Sequence, residues 1–301
     1  MRRLIDPQHA TETIHWGRNY LYRTRLATPA GEAEVVVKQF RSGGLRDRLH
    51  KYRGSKAARS WQMARAFQAA GVPTPDPVML IETTDGQGVS FFVSRFLPGV
   101  FEARYLLRAA RVGREREEFP QVDLDAFLRA LGSVVRQMHQ AGLFHRDLSI
   151  GNVLIEPGPT PSAPPRLFLV DLNRARQKTR LSTVERTRDL CRLALFRPEH
   201  QETLLRAYWG EEGVTPWRRG LYHTLQRGFL LKVEGKKQLR GSGRSLLGWL
   251  KPRRAHPHIP PAPAAASARD KIVWDALSDQ PHQHAGRLEK LRVRSGDAGA
   301  H

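Results

Sequence analysis

Cysteine and long apolar runs are the features that this sequence has least of. The one cysteine among 301 residues, Cys191, excludes an internal disulfide, and the apolar residues around it predict a buried structural thiol. No stretch approaches the roughly 20 apolar residues that a membrane-spanning helix needs. The N-terminal segment has two arginines but neither an apolar core nor a small-residue cleavage site, so it lacks the pattern of a signal peptide. These absences predict a protein of the reducing cytoplasm.

Acidic residues are also scarce. The chain has 29 Asp and Glu against 50 Lys and Arg, which gives a formal net charge of +21. A field of this sign attracts nucleic acid, an anionic membrane surface or a phosphorylated glycolipid, and charge alone does not choose among them. Eight basic residues lie within residues 41–65, opposed only by Asp47. That run suits an anionic membrane or a phosphorylated sugar, and a solvated protein face is the alternative interpretation.

The first hundred residues have the pattern of a small β-rich lobe with one main helix. Ser55 is a good N-cap and Gly71 a good C-terminal stop for a helix over residues 55–70. Short β-type runs surround that helix, with turn residues between them. The predicted strands are 13–16, 20–26, 34–40, 78–82 and 89–95. Residues 97–99 (LPG) then predict a hinge.

Beyond the hinge the chain is predicted to be mostly helical. Apolar residues recur at helical spacing over residues 124–140, and a capping-box pattern at Ser182 and Glu185 opens another helix. Two short strands are expected between these helices. The predicted helices are 124–140, 182–196, 201–209 and 216–233, and the strands are 152–155 and 166–170. Residues 251–268 are rich in proline and alanine and predict an extended linker.

The segment at residues 143–154 (LFHRDLSIGNVL) contains the residues that predict catalysis. It matches the kinase catalytic-loop pattern H-R-D-L-x-x-x-N at every specified position. Phosphoryl transfer needs a carboxylate that aligns and accepts the proton of the attacking hydroxyl, which Asp147 provides. It also needs an amide oxygen on magnesium, which Asn152 provides from the other end of the loop. The sequence therefore predicts an ATP- and Mg²⁺-dependent phosphotransferase of α+β class with a bilobal, protein-kinase-like fold.

Two further positions fit this prediction. Asp171 ends an apolar strand 24 residues after Asp147, where a kinase has its second magnesium ligand. Asn173 replaces the glycine of the usual D-F-G, and we expect its tolerance of positive φ to allow the turn. Lys38 follows three valines, like the lysine of the kinase V-A-I-K strand that binds the α- and β-phosphates.

The nucleotide site departs from the kinase pattern in two ways. No G-x-G-x-x-G precedes Lys38, so phosphate cover is expected from the turn at Gly17, with help from Arg18. No acidic residue lies between Asp47 and Asp76, and a serine, Ser60, stands near the position where kinases have the glutamate that pairs with this lysine.

These motifs together resemble the lipopolysaccharide kinase family, which includes Kdo kinases and heptose kinases of the bacterial envelope. The residues that carry the resemblance are VVVKQFR ending at Arg41, SKAARSW ending at Trp61, GVPTPDP ending at Pro77, HRDLSIGN ending at Asn152 and VDLNRAR ending at Arg176. The resemblance covers about residues 10–235. It implies an N-lobe at 10–97 that binds nucleotide and a catalytic C-lobe at 98–235. The tail at 236–301 lies outside the resemblance, and its basic, Pro/Ala-rich composition predicts partial disorder.

The resemblance also implies a substrate and a location. The acceptor would be a sugar hydroxyl on the lipid A–core glycolipid, and the protein would contact the cytoplasmic face of the inner membrane peripherally, with nucleic acid not expected as a partner. His145, Arg146 and Asp189 would brace the catalytic loop. Oligomeric state is not predicted.

Two alternatives remain open at this point. About ten residues separate Asp171 from the helix near Ser182, without A-P-E, which leaves little room for a peptide-docking segment and favours a non-peptide acceptor. An atypical serine/threonine protein kinase still fits the catalytic loop. A pseudokinase that binds anionic glycolipid fits the absent glutamate and glycine loop. Histidine pairs in the tail, such as His256 and His258, are interpreted as solvated side chains rather than metal ligands.

Overall fold

The computed structural model describes residues 2–16, 19–29, 31–40, 54–82 and 89–246. Within these ranges the expected α+β, two-lobed architecture is confirmed. Gly17 and Arg18, most of the basic run at 41–65, and the Pro/Ala-rich segment at 251–268 lie outside the described residues.

The N-terminal lobe is built on a five-stranded antiparallel sheet with strand order β1-β2-β3-β5-β4. Its strands are β1 (Glu12–Trp16), β2 (Tyr20–Thr28), β3 (Gly31–Phe40), β4 (Pro77–Glu82) and β5 (Ser90–Arg95). Val35 and Val37 of β3 are buried in the core of this lobe. Because side chains alternate along a strand, Lys38 lies on the opposite face of the sheet.

One main helix, α2 (Lys56–Ala69), packs against this sheet, as predicted; a short helix, α1 (Arg2–Ile5), precedes it in the chain. The Ser55 hydroxyl accepts a hydrogen bond from the Ala58 N–H and so caps the N-terminus of α2. Gly71 follows the C-terminus with φ 69°, a conformation that glycine adopts without steric cost. Local sequence therefore determines both ends of this helix.

The C-terminal lobe is mostly helical. Its helices are α3 (Ala103–Arg111), α4 (Glu115–Glu118), α5 (Leu124–Gln140), α6 (Thr183–Arg192), α7 (Pro198–Trp209) and α8 (Pro216–Leu246). Five short strands form two small sheets: β6 (Phe101–Glu102), β8 (Val153–Glu156) and β9 (Arg166–Leu169) in one, and β7 (Leu143–Phe144) and β10 (Arg176–Gln177) in the other. No helix in the described ranges has the length and apolar content needed to cross a membrane.

A second, larger core holds this lobe together. It is centred on α5, whose bounds agree with the prediction from apolar spacing, and whose buried residues include Phe127, Leu131 and Val135. Cys191 is buried against this core, as expected. Burial raises the pKa of the Cys191 thiol to about 12, so the side chain acts as a small apolar group.

Several helices differ from the prediction: α1 and α4 were not predicted, and α7 begins at Pro198 rather than at residue 201. The capping box at Ser182 and Glu185 is present, but α6 ends at Arg192 rather than near residue 196, because Ala194 takes a left-handed φ of 52°. Helix α8 continues to Leu246, beyond the predicted end at 233. Helix α3 was not predicted, although its arginines and apolar residues alternate at helical spacing.

Candidate active site

The catalytic loop at residues 145–152 begins where α5 and β7 end. Gly142 makes this possible because it takes φ 73°, and a Cβ atom at this position would lie 2.0 Å from the Lys178 carbonyl oxygen. Only glycine allows both the backbone conformation and this close approach. The helix thus delivers the loop to a defined position.

Asp189 of α6 holds the start of the loop. Its carboxylate is completely buried and accepts hydrogen bonds from the backbone N–H groups of His145 (2.8 Å) and Arg146 (2.9 Å). Arg146 takes a left-handed φ of 64°, a strained conformation for this residue type. The expected bracing contact from Asp189 is therefore present and stabilises a strained turn directly before Asp147.

His145 connects the loop to the end of β9. Its Nε2–H donates to the Val170 carbonyl oxygen at 3.0 Å, and its Nδ1 accepts from the Asp147 N–H at 3.3 Å. Both bonds require a neutral ring with its proton on Nε2. Complete burial lowers the pKa of His145 below its ordinary value, which favours the same neutral form.

Asn152 connects the two ends of the loop. Its side-chain Nδ2 donates to the Asp147 carbonyl oxygen at 2.8 Å, which leaves the Asn152 amide oxygen for another partner. Its own carbonyl oxygen accepts from the Val170 N–H at 3.0 Å. Because Asp171 follows Val170, these bonds place Asn152 beside Asp171.

Asp171 and Lys38 meet across the two lobes. The Lys38 Nζ lies 2.6 Å from the Asp171 Oδ1, and the Asn173 side-chain amide also donates to this oxygen. Burial alone would raise the pKa of Asp171, but the Lys38 ammonium outweighs burial and lowers the pKa below its ordinary value. The carboxylate is therefore ionised near neutral pH.

The turn after β9 differs from our expectation in one respect. We expected Asn173 to take the positive φ, but Asp171 takes it, at φ 63°, and Asn173 lies in a short 3-10 turn. The left-handed conformation of Asp171 lets its side chain reach back toward Lys38. Asn173 contributes instead through its side-chain hydrogen bond.

Two arginines that sequence reasoning missed contact the carboxylate of Asp147. The Arg174 Nη1 lies 3.0 Å from Asp147 Oδ2, and the Arg192 Nη1 lies 3.6 Å from Asp147 Oδ1. A signal for Arg192 exists, because it follows Asp189 by three residues on α6 and so lies on the same helix face. Arg174 is three residues beyond Asp171, and only the folding of that turn brings it to Asp147.

Comparison with known proteins agrees with this geometry. Residues 17–209 match the model of the lipopolysaccharide kinase (Kdo/WaaP) family. The chain belongs to that family. It is therefore a kinase, and the family implies use of ATP. No curated protein sequence matches the chain.

Solved structures of other proteins have folds similar to that of this chain. A structure of WaaP in complex with acyl carrier protein is 23% identical, with a TM-score of 0.55 over 74% of this chain and 89% of that chain. The BubR1 kinase domain is 13% identical, with a TM-score of 0.40 over 63% of this chain and 49% of that chain. The WaaP structure supports the kinase-like fold.

In other kinases, the helix that corresponds to α2 supplies a glutamate that pairs with the lysine of the β-sheet. Helix α2 has no glutamate. The side chain of Ser60 in α2 is turned back to its own helix and donates to the Lys56 carbonyl oxygen at 3.0 Å. The neighbouring Arg59 donates instead to the Asn173 carbonyl oxygen at 3.4 Å. Helix α2 therefore contacts the Asp171 turn through a cation, and Lys38 is held by Asp171 itself.

The donor set fits a magnesium ion. Within the described ranges no cluster of three or more His, Cys, Asp or Glu side chains forms a metal site of its own. Asp171 and Asn152 offer one carboxylate and one amide oxygen. Magnesium in kinases is held by one or two such protein oxygens together with phosphate oxygens and water, so this sparse set is sufficient.

The structure brings together four of the seven site residues predicted from the sequence. Lys38 pairs with Asp171, and the Asn152 side chain donates to the Asp147 carbonyl oxygen. The two pairs are joined through Val170, the residue before Asp171, whose N–H donates to the Asn152 carbonyl oxygen. The side chain of Arg146 is exposed, and its backbone makes the contact with Asp189. Gly17 and Arg18, which were expected to form the phosphate-covering turn, lie outside the described residues.

Proposed function

We propose that this kinase transfers the γ-phosphate of ATP to a sugar hydroxyl of the lipopolysaccharide core or lipid A–Kdo glycolipid, at the cytoplasmic face of the inner membrane. The proposal rests on two contacts, Lys38 with Asp171 and Asn152 with Asp147, which the Val170 hydrogen bond to Asn152 brings side by side. Peripheral contact with the anionic membrane agrees with the net charge of +21.

In this proposal the nucleotide is held from both lobes. Lys38 binds the α- and β-phosphates of ATP, and Gly17 with Arg18 covers the phosphates from the first turn of the sheet. Asp171 and Asn152 hold Mg²⁺, which neutralises charge on the phosphates as they react. Because the Asp171 pKa is lowered, its carboxylate is ready to bind the cation at neutral pH.

Asp147 aligns the acceptor hydroxyl and accepts its proton. The half-exposed carboxylate is oriented by Arg174 and Arg192, and its backbone by His145 and Asn152. Arg146 supports this alignment through the strained turn that Asp189 stabilises. The residues thus fix the position of the base before substrate binds, which lowers the entropic cost of reaction.

A glycolipid acceptor fits the site better than a peptide. Helix α6 begins at Thr183, so only about ten residues separate it from Asp171. In protein kinases the corresponding segment forms the platform on which peptides dock. The short segment here favours a small, exposed hydroxyl such as that of a sugar.

A catalytically weak kinase that binds anionic glycolipid is the second candidate. Ser60 and Arg59 in place of a glutamate favour it, because Lys38 then has no acid on α2 to keep it extended toward ATP. The ion pair between Lys38 and Asp171 would have to open when Mg²⁺ and ATP bind.

The proposal is tested with the purified full chain, radiolabelled ATP and Mg²⁺. Purified core glycolipid and a protein extract are offered as separate acceptors, and label is expected in the glycolipid alone. Asp147→Asn is expected to reduce transfer roughly a thousandfold, because it removes the proton acceptor, while ATP binding measured by thermal shift persists. Asp125→Asn, an exposed acid on α5, is the matched control.

The outcomes separate the candidates. Label in protein rather than glycolipid supports a protein kinase. Glycolipid binding without any Mg²⁺-dependent thermal shift by ATP supports the weak kinase. Near-normal transfer by Asp147→Asn removes Asp147 from the mechanism.

A further inference from the structure

A basic pocket of about 320 Å³ lies in the C-terminal lobe beside the catalytic loop. One wall is formed by α3, and the other by the chain that connects α6 to α7 and by the first turn of α7. Neither Lys38, Asn152 nor Asp171 lines the pocket. It is therefore distinct from the proposed nucleotide site.

Three arginines of α3 line this pocket: Arg104, Arg108 and Arg111. Their spacing of four and three residues places them on one face of the helix. The other face is buried in the core through residues such as Leu106 and Ala110. The helix therefore presents a row of positive charge toward the pocket.

The helix dipole does not explain this row. Arg108 and Arg111 lie in the last turn, where a cation is stabilised by the partial negative charge of the helix C-terminus. Arg104 lies in the first turn, where that interaction is unfavourable. It pairs with Glu102, the residue before the helix. This ion pair with Glu102 holds the Arg104 side chain at the first turn of α3.

The pocket lining is linked to Asp147 along the chain at two places. A Cβ atom on Gly151 would lie 2.1 Å from the Arg104 Nη2, so the glycine lets this guanidinium lie against the catalytic loop. Gly151 is four residues beyond Asp147. On the opposite side the pocket wall begins at Leu193, directly after Arg192, which contacts Asp147.

The far wall adds one more cationic group, Arg197, whereas burial lowers the pKa of His200 and favours its neutral ring. Arg197 and His200 line the pocket, and the Arg111 guanidinium lies 3.7 Å from the centre of the exposed Phe196 ring. Glu199 lies 3.8 Å from Arg197 but is not part of the lining. None of the described residues that line the pocket is acidic.

We propose that this pocket binds an oxyanion, a phosphate or a carboxylate, on a sugar next to the one that is phosphorylated. The inference rests on the proposed function and adds to it the requirement that the acceptor already bears an acidic group. Guanidinium groups bind such oxyanions in bidentate fashion, and Phe196 provides an apolar surface for the adjoining sugar ring. An oxyanion held here directs the neighbouring hydroxyl toward Asp147.

The test compares two double variants of the full chain. Arg108→Gln/Arg111→Gln removes two pocket charges, and Arg129→Gln/Arg136→Gln removes two from the exposed face of α5 with the same total charge change. The probe is deacylated lipid A–core oligosaccharide, in intact, dephosphorylated and carboxyl-reduced forms. The affinity of each protein for each form of the oligosaccharide is measured by calorimetry without ATP. The KM for the oligosaccharide is measured in the transfer assay.

For the pocket variant we expect roughly a tenfold or greater loss of affinity for the intact oligosaccharide, because two charge-assisted contacts are lost. A matching rise in KM is expected, with ATP affinity unchanged. Arg108→Lys/Arg111→Lys should recover part of the affinity, since charge is kept and bidentate geometry is lost. Whichever chemical treatment of the oligosaccharide abolishes the difference between wild type and variant identifies the oxyanion.

Equal losses in the two double variants would overturn the inference, because general charge would then explain binding. Wild-type affinity that neither treatment changes would overturn it as well. If the arginine-dependent binding is present but no phosphate is transferred, the proposed function fails and the pocket stands. If transfer proceeds and the pocket variant changes neither affinity nor KM, the pocket fails and the proposed function stands.

Discussion

Two strained residues of the C-terminal lobe share one cause. Arg146 and Asp171 both take left-handed φ values, and each is held by an ionic partner from a distant part of the chain. Asp189 accepts from the Arg146 N–H, and Lys38 pairs with the Asp171 carboxylate. Such conformations cost about 1–3 kcal/mol each and persist only when neighbouring contacts hold them. The site is thus stabilised by contacts outside the loop that performs the chemistry.

Asp189→Asn tests this arrangement. The amide keeps one acceptor oxygen, but its NH₂ group would face a backbone N–H that now lacks a partner. We expect a loss of about 3 kcal/mol in the free energy of unfolding, because a buried charge network is broken. Urea denaturation measures it, with Asp125→Asn as the control that changes stability by less than about 0.5 kcal/mol. An equal effect of both variants would show that the Asp189 carboxylate does not hold the loop.

Helices α5 and α7 pack closely against each other near the site. A Cβ atom on Gly132 of α5 would lie 2.5 Å from the Ala207 Cβ and 3.0 Å from the Leu204 carbonyl oxygen. Helix α7 also provides Tyr208, whose hydroxyl lies 2.6 Å from the Nδ1 of the buried His139 on α5. The absence of a side chain at Gly132 therefore sets the spacing on which this hydrogen bond depends.

Gly132→Ala is expected to destabilise the protein by about 1–3 kcal/mol, although alanine is the better helix former. The added methyl forces α5 and α7 apart, which thermal or urea denaturation will detect. Ala207→Gly removes the nearer clash, so the double variant should regain part of the loss. Gly228→Ala on α8, where a Cβ meets no atom within 4 Å, is the control. A stabilising effect of Gly132→Ala would contradict the close packing.

At the scale of the whole molecule, buried neutral histidines make stability depend on pH. Burial lowers the pKa of both His139 and His145 below the ordinary value of 6.5, although Asp189 acts in the opposite direction on each. Above pH 6.5 these rings are neutral in the folded and unfolded chain, and their contribution is complete. Below pH 6.5 the unfolded chain binds protons that the folded chain excludes, so stability falls.

We therefore expect the free energy of unfolding, measured by urea denaturation, to fall as the pH is lowered from 7.5 to 5.5. The decrease is up to about 1.4 kcal/mol per pH unit for each buried histidine. The acids Glu185 and Glu202 do not interfere, because their pKa values are lowered to about 2 and their stabilisation is lost only below pH 4.5. His139→Gln should reduce the pH dependence, whereas exposed His223→Gln should leave it unchanged. A flat profile in the wild type would contradict the neutral state of the buried rings.

Much of the fold could be predicted because its signals are local. The ends of α2 follow from Ser55 and Gly71, and the length of α5 from its apolar spacing. The end of α6 could not be predicted, because the left-handed turn at Ala194 has no signature in residue type. Helix α3 was missed although its three arginines recur at helical spacing opposite an apolar face.

By itself, the sequence determined the candidate catalytic residues, since Asp147 and Asn152 lie five positions apart in one loop, the spacing of the kinase catalytic-loop pattern. Only the tertiary structure decided what surrounds them: Asp189 beneath the loop, Arg174 and Arg192 on the Asp147 carboxylate, and the arginines of α3 against Gly151. The reason is physical. Spacing along a loop is preserved whatever the rest of the chain does, whereas contacts between distant segments exist only after helices and strands have packed.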